Sequence, residues 1–327
     1  MLKLASFVAL AMSVSLAQAG KRGLAWPWFN APLDPGVLNN GDGEVVAIYD
    51  WETYAPPTST GGTGGLGFIG MQGCIDCSSS PLSELKARAS AQGWATVFSA
   101  NEPDLPSSAA YMTPSAAATW YINNINPLAI KKALPAVTSS ATSGEGLSWL
   151  QQMISACAGN CYYDYINLVS HSYFEIPGGC PMERERSFTL LRVERHRPRV
   201  TASLPLRLAS SPLSSCADPL QHWYGTSYAD FQSHVQQAHS LFPDKQIVIT
   251  EFALTNPAGG ATDQAAFFKQ AFSWLDGQSY VELYFPFVAT SPSLLQANDG
   301  GAVTNVGTGS CLYTNAGGPS TVGNLMY

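Results

Sequence analysis

Gln246-Ile-Val-Ile-Thr-Glu-Phe252 is a short, β-branched apolar run that stops at a carboxylate, Glu251. A run of this length and composition reads as a strand buried on both faces, as in a parallel sheet. A second such stretch lies upstream. Gly93-Trp-Ala-Thr-Val-Phe-Ser-Ala-Asn-Glu-Pro-Asp104 delivers Asn101 and Glu102 at its end, just before the helix-breaking Pro103. Two buried strands that each end in a glutamate predict paired carboxylates at one rim of an α/β barrel.

On either side of these runs the chain alternates apolar strands with helical patterns, the sign of repeated βα units. Further strands are predicted at 23–26, 44–51, 68–72, 132–137, 163–168 and 280–288, and helices at 81–92, 113–124, 146–157, 229–242 and 262–275. Pro81 suits the first turn of its helix, Thr113 is a plausible N-cap, and Thr262 or Asp263 caps the last helix. Eight strands result, with Glu102 closing the fourth and Glu251 the seventh. The predicted fold is α/β, a single-domain (β/α)8 TIM barrel over residues 20–327.

Residues 1–19 are read as a signal peptide, from Lys3, the apolar run 4–16 and Ala17-Gln18-Ala19. A membrane anchor is the alternative, but a spanning helix needs about 20 apolar residues. Lys21-Arg22 is a second, dibasic processing site in this reading, leaving Gly23 at the mature start. The product is expected to be secreted, extracellular or wall-associated, with no membrane partner. Charged residues make up only 12% and the formal charge is −7, which argues against nucleic acid and for an uncharged, hydroxylated partner. Seven cysteines in an exported chain imply disulfides with at least one cysteine left over. Cys74-x-x-Cys77 and Cys157-x-x-x-Cys161 imitate a four-cysteine zinc site, but loop positions in a secreted chain favour disulfides. No metal or cofactor is expected, and the protein is expected to act as a monomer.

One stretch breaks the rhythm. Seven of the nine arginines fall within residues 169–221. An extended charged insertion in a βα loop is one reading. The other is a retained intron: Val169-Ser170 is encodable by an intron donor, Leu220-Gln221 by an acceptor, and 53 codons keep the frame. Removal joins Leu168 to His222 and restores Tyr-Ile-Asn-Leu-His-Trp-Tyr-Gly as an uninterrupted sixth strand. The 327 residues, less 19 and 53, leave 255, close to the roughly 250 typical of the barrel. If the segment stays, residues 169–173 can extend the strand instead, with His171 and Tyr173 in the places of His222 and Tyr224.

Gly23-Leu-Ala-Trp-Pro-Trp28, Tyr49-Asp-Trp-Glu-Thr-Tyr54, Asn101-Glu-Pro-Asp104, His222-Trp-Tyr-Gly225 and Thr250-Glu-Phe-Ala253 together resemble the fungal glycoside hydrolase family 128. That resemblance implies a secreted endo-β-1,3-glucanase, acting on β-1,3-glucan polysaccharide or oligosaccharide. It covers nearly all of 23–327 except 169–221, since the family has no such arginine-rich block. Carried over by position, Glu102 resembles the acid/base and Glu251 the nucleophile of a retaining mechanism.

Supporting roles follow. Asn101 suits a sugar 2-hydroxyl and Tyr224 suits the orientation of Glu251. Trp26, Trp51, Trp223 and Phe285 are candidate stacking platforms, though any one such aromatic is more often barrel core than platform. Asp50 and Glu52 are rim carboxylates for hydrogen bonds to sugars or loops, and His222 is an orienting group. The wider clan has a Trp on the eighth strand where this chain has Phe285-Pro286. A glucan-binding wall protein that has lost turnover is the alternative function.

Overall fold

The computed structural model describes residues 20–169 and 224–327. The leader 1–19, the segment 170–221, His222, Trp223 and the side chain of Tyr224 lie outside the described residues.

The strands are β1 Arg22–Ala25, β2 Val45–Tyr49, β3 Gly67–Phe68, β4 Gly70–Gln72, β5 Thr96–Asn101, β6 Lys131–Ala136, β7 Tyr165–Val169, β8 Tyr224–Gly225, β9 Gln246–Leu254 and β10 Val281–Pro286. Every pairing between them is parallel, in the lateral order β3-β2-β1-β10-β9-β7-β6-β5-β4 with β8 beside β9. The two outermost members of that order are one residue apart in the chain. Ile69 joins them and donates its N–H to the Ile48 carbonyl at 2.9 Å, continuing the β2 ladder. β3 and β4 are therefore halves of one wall strand, and the ring closes through them. β7 and β8 likewise share one edge of β9, so the wall counts eight strands.

The helices are α1 Leu82–Ala91, α2 Pro114–Asn124, α3 Gly146–Cys157, α4 Tyr228–Leu241, α5 Ala261–Asp276, α6 Pro292–Asn298 and α7 Gly300–Val306. The Thr113 hydroxyl caps α2 by accepting from the Ala116 N–H, with Pro114 in the first turn as its fixed φ favours. The expected cap of α5 is corrected: Gly260 takes the N-cap position, and Asp263 turns back to accept from the Gly259 N–H at 2.8 Å.

Inside the barrel, small residues leave room for large ones. Ala25, Ala47 and Ala133 accompany Tyr49, Phe98 and Phe285, whose rings meet edge to face at 5.0–5.7 Å. Gly23 is required here, because a Cβ would fall 2.0 Å from the Phe285 ring. Phe252 points the other way, stacked on Phe231 of α4 at 4.9 Å and packed against Phe267, Phe268 and Phe272 of α5.

The dibasic pair is built into the barrel floor. Lys21 is buried and donates to the carbonyls of Leu275, Asp276 and Gln278. Arg22 begins β1 and pairs with Asp276 at 2.6 Å. Trimming to Gly23 would remove both, so the structure argues against processing there.

Candidate active site

Regular alternation along β9 would not aim Glu251 into the barrel mouth. Val248 faces the interior and Ile249 the helices, so Thr250 would face in and Glu251 out. The ladders show an extra residue. Ile249 to Phe252 on β9 spans three steps opposite two on β10, Tyr284 to Pro286, and Ile249 to Glu251 spans two opposite one on β7. This bulge turns Glu251 towards the cleft and lets Phe252 return to the helix side. Thr250 pins it: its hydroxyl bonds Asn167 Oδ1 at 3.1 Å and its carbonyl accepts from the Tyr49 hydroxyl at 2.8 Å.

Glu251 is 1% exposed, and its Oε1 accepts the Trp51 indole N–H at 2.5 Å. Trp51, with a left-handed φ of 60°, packs on Tyr49 and Phe287. Its indole orients the carboxylate, a role that the platform reading did not include.

Glu102 leaves β5 with φ of 50°, also left-handed, and is 5% exposed. Such backbone costs about 1–3 kcal/mol in a residue with a side chain and is held only where the surroundings over-determine it. Here the Glu102 N–H donates to the Ala136 carbonyl at 2.8 Å, its carbonyl accepts from Leu105, and Pro103 accepts from Met112. Behind it the buried Asp104 carboxylate accepts from the Thr138 hydroxyl at 2.6 Å and the Gly146 N–H at 2.7 Å, tying the turn to α3. Among the described residues four non-glycines have positive φ, and two of them, Trp51 and Glu102, lie at this cleft.

The cleft has two adjoining lobes. One, of about 520 Å³, is lined by Glu102; the other, of about 210 Å³, by Glu251. Both share Trp51, Glu52 and Asn101, so the glutamates face one groove at the C-terminal rim. Asn101 Oδ1 has no hydrogen-bond partner among the described residues. Glu52 is engaged with the loop, accepting from the hydroxyls of Ser79 and Ser80. Asp50 lines the Glu251 lobe.

Two of the aromatic positions are corrected. Trp26 is fully buried, with its indole N–H on the Pro57 carbonyl at 2.9 Å and its edge against Tyr313. Phe285 is fully buried in the barrel interior. Their places at the groove are taken by Trp28, 60% exposed, and Phe287. Asp299 also lines the groove and was not singled out from the sequence. His222 and Trp223 lie outside the described residues, and of Tyr224 only the backbone register, opposite Ala253, is described.

Cys74–Cys77 and Cys157–Cys161 are disulfides, which removes the zinc reading, and Cys311 is free and buried. Among the described residues no group of three His, Cys, Asp or Glu is placed to hold a metal ion.

The chain matches the glycosyl hydrolase catalytic core family over residues 23–178 and 219–325. It is 62% identical to a subgroup IV family 128 endo-β-1,3-glucanase from Lentinula edodes, with a TM-score of 0.75 over 94% of this chain and 99% of that one. A subgroup III curdlan-specific exo-β-1,3-glucanase from Blastomyces gilchristii, 22% identical over 94% of this chain and 97% of that one, shares the fold with a TM-score of 0.58. Alkali-sensitive linkage protein 1 of Schizosaccharomyces pombe is 26% identical over 313 residues, 94% of this chain and 44% of that protein. The chain thus spans less than half the length of that relative.

Proposed function

The chain belongs to the glycosyl hydrolase catalytic core family and to its glycoside hydrolase family 128, and from that premise we propose that it is a secreted, retaining endo-β-1,3-glucanase. The observation that carries this reading is the single groove that Glu102 and Glu251 line together, with the Trp51 N–H on Glu251. Cleaving a glycosidic bond needs a proton for the leaving oxygen and relief of positive charge at the anomeric carbon. Glu102 gives the proton. Glu251 attacks the anomeric carbon, the aglycone departs, and a covalent glucosyl ester remains. Glu102, now a base, takes a proton from water as that water displaces Glu251. Asn101, with its free Oδ1, accepts from a sugar hydroxyl, and Trp28 and Phe287 offer apolar faces to the rings.

Two attacks at one carbon restore its configuration. Linear β-1,3-glucan is therefore expected to yield β-anomeric oligosaccharides first, followed by NMR before mutarotation. An initial α-anomer would contradict the assignment of Glu251 as nucleophile, and release of glucose alone would contradict endo action. Export rests on the leader 1–19, and N-terminal sequencing of the culture supernatant should begin at Gly20; a cell-retained product beginning at Met1 would contradict it.

A further inference from the structure

Asp50 follows β2 directly and shares the groove lobe of Glu251. It is 2% exposed, its Oδ1 accepts the Glu52 N–H at 3.3 Å, and its Oδ2 has no hydrogen-bond partner among the described residues. A buried ionised carboxylate with one oxygen unsatisfied is strongly disfavoured, whereas the neutral acid needs an acceptor for its O–H. Neighbouring donors are committed elsewhere: the Trp51 indole to Glu251 and the Tyr49 hydroxyl to the Thr250 carbonyl.

No cation among the described residues lining this lobe compensates. The charged residues lining this lobe are Asp50, Glu52, Glu251 and Asp299, all acids, with Glu102 in the adjoining lobe. Arg88 is held by Glu84, the Thr53 hydroxyl and the Ser79 carbonyl. The Tyr54 phenol, pushed up to about 12 chiefly by burial, stays neutral. Of the acids in this lobe, Asp50 has the least support for a negative charge.

We propose that Asp50 works as a neutral carboxyl, its Oδ2–H donating to a hydroxyl of the glucosyl unit seated against Glu251. This rests on the glucanase reading of the groove. Burial pushes the Asp50 carboxyl well above the usual carboxylate range; the Glu52 N–H opposes that and the Glu52 charge adds to it. The neutral form also spares Glu251 a like-charged neighbour.

The sign of the pH effect follows. With its pKa raised on folding, Asp50 binds more proton in the native state than in the unfolded chain, from the ordinary carboxylate range up to the folded value. Its contribution to stability therefore declines as pH rises through that window. Asp50→Asn should remove that decline, so the melting temperature of the variant should gain on wild type as pH rises.

The test uses the full-length chain carrying Glu102→Gln, which slows turnover and removes that residue's titration. Laminaritriose binding, measured by calorimetry, should weaken as pH rises and Asp50 ionises. Adding Asp50→Ala should weaken it roughly 5- to 20-fold at low pH. Asp50→Asn should recover most of that loss and abolish the pH dependence, because an amide donates without ionising. Independently, in the Glu102→Gln chain the infrared band of a protonated carboxyl should persist above the ordinary carboxylate range and vanish when Asp50→Asn is added. Absence of the band, or an Asn variant that binds as weakly as the Ala variant, would overturn the proposal. A band without laminaritriose binding in any form would overturn the donor role through failure of the glucanase reading, and the two failures are thus distinguishable.

Discussion

Glu251→Gln is expected to lower hydrolysis of linear β-1,3-glucan on the order of 10⁴-fold or more, since no covalent intermediate can form. Glu102→Gln should cost roughly 10²- to 10⁴-fold, the usual worth of a positioned acid. Both amides keep the shape of the side chain, and at 251 the amide keeps an oxygen for the Trp51 N–H. Melting temperatures should therefore stay close to wild type, which separates lost chemistry from lost fold. The two variants should also differ in kind. An aryl β-glucoside with an acidic phenol needs little protonation to depart, so the Glu102 variant should recover the bond-cleaving step on it and the Glu251 variant should not. Near wild-type glucan turnover in either variant, or equal recovery in both, would refute the division of roles.

The elements were legible because they rest on local patterns. The helix over 146–157 matches Gly146–Cys157, and β5 stops at Asn101, directly before Glu102, whereas β9 does not close at Glu251 as expected but runs on to Leu254. What was not legible depends on register and on close packing between distant segments. The bulge at Thr250 is held by Asn167 and Tyr49, residues 83 and 201 positions away, so nothing near Glu251 announces it. Before Trp26-Pro27-Trp28 the strand has already ended, at Ala25, and alternation no longer tells which ring faces the groove; Trp26 went to the core and Trp28 to the rim. The same holds for Phe285 and Phe287, where Gly23 opens space for the first inside the barrel. Left-handed φ at Trp51 and Glu102 has no sequence signature either, since the usual markers of that conformation are glycine and asparagine.

Deleting residues 169–221 is expected to raise glucan hydrolysis above that of the full-length chain by roughly 10²-fold, the cost of misplacing an active-site element by about 1 Å. The reason lies in the ladder on β9. Val169, the last residue of β7, stands opposite Glu251, and Tyr224, the first of β8, stands opposite Ala253. Only the position opposite Phe252 lies between them, yet 54 residues separate them in the chain. Joining Leu168 to His222 puts His222 opposite Glu251 and Trp223 opposite Phe252, and leaves Tyr224 opposite Ala253 where it already is. A junction one residue longer or shorter would shift that register and turn each following side chain to the other face. The 53-residue length inferred from codons is thus the one that lets the strand run through unbroken, and we propose a shorter transcript as the source of the working enzyme. The deletion variant should also melt at a higher temperature, because one continuous strand replaces two pieces on the same edge. Transcript sequencing and tryptic mapping of the secreted protein test the point in the native source. Abundant peptides from residues 187–199 in an active preparation, or a deletion variant that neither folds nor hydrolyses glucan, would show that the segment belongs to the enzyme.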